Sequence, residues 1–331
     1  MNDRNEINAP APPGLISSIT EGFNAVASHV YLILPPMLLD LFLWFGPRLR
    51  LKTLLEPWLD RYLALMNSVL GAEAAEMLAG MEELWQFFFE QFNLLSILRT
   101  FPVGLPSLLY NAGAGETPLG TPPGLEIGSF WALVLLIGAA ILLGVLAGAY
   151  YFFKIANTTR PTGERLSFRL VAWQTLQSLA LMGILLILFM LIAVPASMLI
   201  SVFGWFSPGL AQFAFFGLIV VLFWFLVPLL FSAHGIFAQR QNVFQSILTS
   251  VRMVRFYLPN TSLFFLTLLL LGVGLDQLWR IPPASSWMTL VGIFGHAFVY
   301  TGILAASFAY YQGGLRWMQA ASRQRQSLMR A

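Results

Sequence analysis

The chain has no cysteine, only three histidines, and charge on just 10% of its residues. Each shortage excludes something. Without cysteine there is no disulfide, no thiolate metal site and no cysteine nucleophile. His29, His234 and His296 share no i, i+4 spacing, so no HExxH zinc helix exists. GxSxG, Walker A and GxGxxG glycine loops are missing too. The expectation is therefore no enzyme, no cofactor and no metal. The scarcity of charge excludes more. An average globular protein carries roughly 25% charged residues. A chain that is 58% hydrophobic and 10% charged cannot cover a water-facing surface, so much of its solvent is lipid.

Charge-free runs locate the lipid-facing parts. They lie between Glu126 and Lys154, Arg169 and Arg240, Arg255 and Asp276, and Arg280 and Arg316. A spanning helix needs about 20 apolar residues, because it rises ~1.5 Å per residue across a hydrocarbon layer ~30 Å thick. The run from Arg169 to Arg240 suits two crossings, and GWFSPG at 204–209 supplies the turn between them. The predicted fold class is all-α: a polytopic helical membrane protein with six spans at about 29–47, 128–153, 172–202, 210–235, 259–280 and 287–313. The expected organisation is an N-terminal helix and first span (1–47), an outer amphipathic segment with a linker (48–127), a five-helix bundle (128–313) and a basic tail (314–331).

Lysine and arginine set the orientation. With the N-terminus inside, twelve of the 18 basic residues fall on inner segments, and nine of the 15 acids fall in 48–127. Both termini are expected in the cytoplasm of a cell (plasma or inner) membrane. The MNDRNEINAPAPPG start lacks the basic and apolar regions of a cleaved signal. A net charge of +3, spread over tails and loops, reads as topology and not as nucleic-acid binding. Trp44, Trp131, Trp205, Trp279 and Trp287 fall at outer span ends, and Tyr150, Tyr151, Tyr257, Tyr310 and Tyr311 at inner ends, as interfacial anchors would.

Three stretches share a pattern ahead of the first, fifth and third spans: GLISSITEGFNAVASHV (14–30), RQNVFQSILTSVRMVRF (240–256) and, less cleanly, NTTRPTGERLSFRLVAW (157–173). Each reads as an amphipathic helix in the inner interface that then turns into the bilayer. In the second, Val243, Phe244, Ile247, Leu248, Val251 and Val254 form the apolar face. Through AQRQNVFQSILTSVRMVRFYLPNTSLFFLTLLLLGVGL and RPTGERLSFRLVAW, region 128–313 resembles a loose group of bacterial multi-pass proteins. That group includes the membrane domain fused to some glycerophosphoryl diester phosphodiesterases. Its catalytic domain is separate and soluble, so the resemblance implies architecture and no chemistry.

Within 48–127, stripes from Leu51 to Leu70 and from Met77 to Leu98 predict two amphipathic helices, packed together or lying on the outer leaflet. Ladders of small residues at Ala140, Gly144 and Gly148, and at Ala297, Thr301, Ala305 and Ala309, predict helix-packing seams. Pro35–Pro36, Pro195 and Pro228 predict kinks.

Polar groups inside the spans are the candidate contacts: Asp40, Asp276, Arg280 and His296. An acid at a helix centre costs roughly 2.5–3.5 kcal/mol to insert, so Asp40 needs a partner. Arg280 is the expected one and His296 the second. Two functional classes remain. One is a non-enzymatic scaffold, assembly or envelope-associated factor. The other is a small transporter or lipid-handling protein with a crevice between kinked helices, lined by Gln174, Gln177, Asp40, His296 and Asp276. Membrane lipids are the expected partners; a protein partner or homo-oligomer stays open.

Overall fold

A computed structural model describes residues 12–71, 75–110, 115–160 and 165–330, the last six without their side chains. Most of the MNDRNEINAPAPPG start, and parts of the 48–127 segment with its linker and of 157–173, lie outside the described residues. The fold is all-α and built on long apolar helices. Five helices are long and apolar enough to cross a membrane, and a bent pair makes a sixth crossing if counted as one span.

The bent pair is α1 (Leu15–Ser28) and, after a 3-10 turn at Val30–Ile33, α2 (Leu34–Phe45), at 96° to each other. The break lies at His29 (φ −136°, ψ 58°), not at the prolines. Pro35 and Pro36 occupy the first turn of α2, where a missing N–H costs nothing. A short parallel pair, β1 (Arg48–Arg50) and β2 (Gly124–Glu126), closes the base of the 48–127 segment. Between the strands stand α3 (Lys52–Leu70) and α4 (Ala75–Gln91). The expected second stripe ran on to Leu98. Instead α4 stops at Gln91, because Asn93 turns its side-chain carbonyl to the N–H groups of Leu95 and Leu49. A 3-10 turn, Leu94–Arg99, follows.

Residues 94–109 then leave α3 and α4. Val103 and Leu105 are buried in the main core beside Ala149 and Phe152. The outer segment is therefore not separate from the bundle. The glycine ladder explains how: a Cβ at Gly144 would lie 2.5 Å from the Leu98 carbonyl oxygen, and one at Gly148 2.6 Å from Gly104 Cα. The expected seam is real, but it receives an irregular strand of backbone, not another helix.

The bundle continues with α5 (Phe130–Thr158), α6 (Phe168–Phe206), α7 (Pro208–Leu226), α8 (Ser232–Ala238), α9 (Val243–Phe256), α10 (Leu258–Trp279) and α11 (Thr289–Arg330). Helix α11 is central and runs on through the tail, which is thus its continuation and not a separate unit. Helix α1 lies antiparallel along it: Pro13 meets Gly313, Gly22 meets Ala306, and Phe23 meets Gly302. The helix expected to rest in lipid is docked on protein, because Gly22 lets two backbones touch.

Helix α9 repeats α1 in part. Both have 14 residues, and Tyr257 (φ −142°, ψ 50°) breaks α9 from α10 as His29 breaks α1 from α2. The third expected copy has no such helix among the described residues, since α6 starts at Phe168 and runs unbroken past Pro195. The buried face of α9 also differs from the apolar stripe. Ser246 and Ser250 are fully buried while Phe244 is exposed. Pro228 breaks the fourth span into a 3-10 turn and frees backbone groups. Ser250 donates to the Pro228 carbonyl and accepts from the Phe231 N–H, and Ser246 donates to the Ser232 carbonyl. In an apolar bundle those groups need protein partners, so here serines face in.

Several expected anchors are also core residues. Tyr151 donates to Thr301, Tyr310 stacks on Phe264 at 4.1 Å, and Trp44 donates to the Ala284 carbonyl. By contrast, no residue from Met182 to Leu226 is buried. The α6–α7 hairpin stands as an apolar arm beside the body.

Candidate functional site

The gap between that arm and the body is a crevice of about 1300 Å³. Phe223, Leu226 and Leu230 line the arm side; Leu263, Leu266, Leu269 and Val273 of α10 line the other. Phe152, Ile303, Leu304 and Ser307 form the floor, and the loop from Ser96 to Pro106 closes one end. Arg99 and Tyr300 are at that end. The arm wall is apolar because α7 is apolar all round, as a lipid-immersed helix must be.

Behind the closed end stands a polar cluster. Arg280 Nε donates to Asp276 Oδ2 at 3.0 Å, one helical turn apart. His296 Nδ1 meets Asp276 Oδ1 at 2.9 Å, which places the proton on Nδ1 for donation to the carboxylate. One turn along α11, the Tyr300 ring lies 4.3 Å from the His296 ring. The Arg99 guanidinium sits 4.0 Å over the Tyr110 ring, and Arg280 lies 5.6 Å from the same ring. Both oxygens of Asp276 are thus engaged by Arg280 and His296, and Arg99 has a ring but no carboxylate among the described residues.

The expected pairing of Asp40 with Arg280 does not form. Asp40 is fully buried and faces the bundle, and its partners come from the inserted loop. Ser107 Oγ donates to Oδ1 at 2.5 Å, the Leu109 N–H to Oδ1 at 3.1 Å and the Leu108 N–H to Oδ2 at 3.1 Å. The physical reason is that irregular backbone buried in a bundle needs an acceptor for its N–H groups. A carboxylate supplies several at once.

The other polar candidates scatter. Gln174 is fully buried in α6, and Gln177 accepts from the Val243 N–H at 2.8 Å, capping α9. Neither glutamine lines the crevice, nor does Asp40, Asp276 or His296. The polar lining expected for a transporter is replaced by an apolar one with Arg99 at its end. Arg99 carried a readable signal: it is the one charged residue between Glu90 and Glu116. Tyr110, Tyr300 and Ser107 carried none.

One pair resembles catalytic chemistry. His234 Nε2 is 2.7 Å from Ser307 Oγ; both are buried, and Ser307 alone of the two lines the crevice. A hydroxyl has one proton, and Ser307 donates it to the Leu304 carbonyl at 2.7 Å. Nε2–H is then the donor to Ser307, and His234 in that tautomer cannot take the serine proton. Its Nδ1 has no partner among the described residues, so no third group orients it. The pair is a core hydrogen bond. Among the described residues no three of His, Asp and Glu come together to hold a metal ion.

The fold defines a polytopic helical membrane protein with a largely apolar crevice between its helices. Set beside family models, curated proteins and solved structures, the chain matches none of them.

Proposed function

We propose that this is a lipid-handling membrane protein without catalytic activity, which holds the hydrocarbon part of a lipid between the α6–α7 arm and α10. The supporting observation is the crevice itself. At about 1300 Å³ it exceeds the roughly 300–1,000 Å³ of ordinary small-molecule pockets. Its walls are mostly apolar, and the stretch of the arm from Met182 to Leu226 has no buried residue. Its lining is apolar apart from Arg99, Tyr300 and a few hydroxyls, which favours a cargo that is mostly hydrocarbon. The weak resemblance to bacterial multi-pass membrane domains agrees with a membrane role and adds nothing on cargo.

The full-length protein, purified in mild detergent, is expected to retain lipid detectable by mass spectrometry of the extract. Ser262→Trp combined with Leu304→Trp fills the crevice from two walls. It should reduce bound lipid by at least half without changing the elution profile. Unchanged lipid content in a well-behaved double variant would sink this reading.

In this reading the N-terminus and the Gly313 end of α11 face the cytoplasm of the cell membrane, and α3 and α4 lie outside it. The excess of lysine and arginine at the Gly313 end supports this. Native cysteine is absent, so single cysteines report cleanly. With cysteines at the exposed Ser17, Thr121 and Ser322, only the one at 121 should react with an impermeant maleimide in intact cells. Reaction at 17 or 322 would overturn the orientation.

The scaffold reading has one observation of its own: Trp58, Leu65, Val69, Leu84 and Phe87 leave an apolar face of α3 and α4 exposed. The outer leaflet covers that face equally well.

A further inference from the structure

The closed end of the crevice differs in chemistry from its walls, and it carries a consequence for which lipid fits. This rests on the crevice reading above. Arg99 lines the crevice, and its guanidinium carbon lies over the Tyr110 ring, 4.0 Å from the ring centre. Stacking uses the face of a guanidinium and leaves its edge of N–H donors available. Asp276 receives Arg280 Nε and His296 Nδ1, and among the described residues no ion pair joins it to Arg99. The Tyr300 hydroxyl lines the same end and makes no hydrogen bond among the described residues. Arg99 thus stands beside Tyr110 and Tyr300 at the crevice end as a guanidinium that pairs with no carboxylate among the described residues. A phosphate diester matches this set: its oxygens take paired N–H bonds from arginine and a bond from a phenol.

We infer that the crevice selects a phospholipid with a net-negative headgroup, its acyl chain along α10 and its phosphate on Arg99 and Tyr300. A headgroup carrying its own ammonium is disfavoured, since that cation would sit beside Arg99 and Arg280. A neutral diacylglycerol fills the walls but leaves Arg99 unserved.

The test uses full-length protein, delipidated in detergent and titrated with phosphatidylglycerol, phosphatidylcholine, diacylglycerol or inorganic phosphate, with occupancy read by native mass spectrometry. Phosphatidylglycerol should bind tightest and diacylglycerol weakest. Arg99→Gln should weaken phosphatidylglycerol about tenfold, the worth of one charge-assisted contact, and leave diacylglycerol unchanged. If Arg99→Gln does not fold, Arg99→Lys and Tyr300→Phe decide: lysine should keep the anionic preference and phenylalanine should lower it. Equal affinity for phosphatidylglycerol and phosphatidylcholine, unmoved by these variants, overturns the headgroup proposal. So does inorganic phosphate competing at the lipid's own concentration, which would mark a bare anion site. If crevice filling still expels lipid in either case, the crevice reading stands and only the headgroup assignment falls.

Discussion

Asp40→Leu is expected to lower the thermal midpoint of the detergent-solubilised protein more than any other single change in α2. The leucine would insert more easily, since an acid near a helix centre costs roughly 2.5–3.5 kcal/mol to place in a membrane. Folding would suffer for a different reason. The Ser107 hydroxyl and the Leu108 and Leu109 N–H groups all lose their acceptor at once. A buried donor left unpaired costs about 1–3 kcal/mol, so three together outweigh the gain in insertion. Asp40→Asn retains one carbonyl and turns an amide N–H₂ toward donors, so its loss should be intermediate. Ser107→Ala removes one arm of the same network. Combined with Asp40→Asn it should cost less than the two separate losses added together. An Asp40→Leu protein as stable as the native one, or strictly additive losses in the pair, would show that the loop does not depend on this carboxylate.

The second large effect belongs to Gly22. A Cβ built there would lie 2.2 Å from the Ala306 backbone nitrogen and 2.5 Å from its Cα. Neither atom can rotate away. Gly22→Ala must therefore push α1 off α11, at about 1–3 kcal/mol, and Gly22→Leu at more. Gly80, on α4, has nothing within 4 Å of a built Cβ. Gly80→Ala should accordingly stabilise by about 0.5–1 kcal/mol, the usual gain for alanine in an open helix interior. Ala306→Gly should fail to rescue Gly22→Ala, because the clash is with the Ala306 backbone as well as its methyl. The readouts are the unfolding midpoint and protease cleavage within residues 12–28. Gly22→Ala behaving like Gly80→Ala would show that α1 is not docked as described.

The two residues also mark how far the sequence could be read. Gly22 sits in an amphipathic pattern that predicts a helix over 14–30, and the helix is there. Nothing in that pattern distinguishes a helix lying on lipid from one lying on α11, because both solvents accept the same apolar face. Asp40 was recognisable as a buried acid needing a partner. The partner was misassigned because a search for opposite charge finds Arg280, while the real partners are backbone N–H groups with no residue signature. Ser246 and Ser250 fail in the same way. They look polar and therefore exposed, yet they face inward to serve carbonyl and N–H groups freed by the Pro228 break.

What the sequence determined by itself was the helical class and which segments are apolar enough to meet lipid. Runs without charge, their length against the rise of a helix, and the turn at 204–209 located five long apolar helices and the bent pair, because hydropathy is a property of each segment alone, though α11 runs on to Arg330. Tertiary structure alone decided what fills the bundle and what lines the crevice. Asp40 meets residues 67 to 69 positions away, Gly148 meets Gly104, and the crevice gathers side chains from Ser96 to Ser307. In lipid, apolar faces do not choose one another by hydrophobicity, so helix partners are chosen by backbone fit at small residues and by polar groups that must be satisfied. Those conditions hold between distant segments, and no local pattern encodes them.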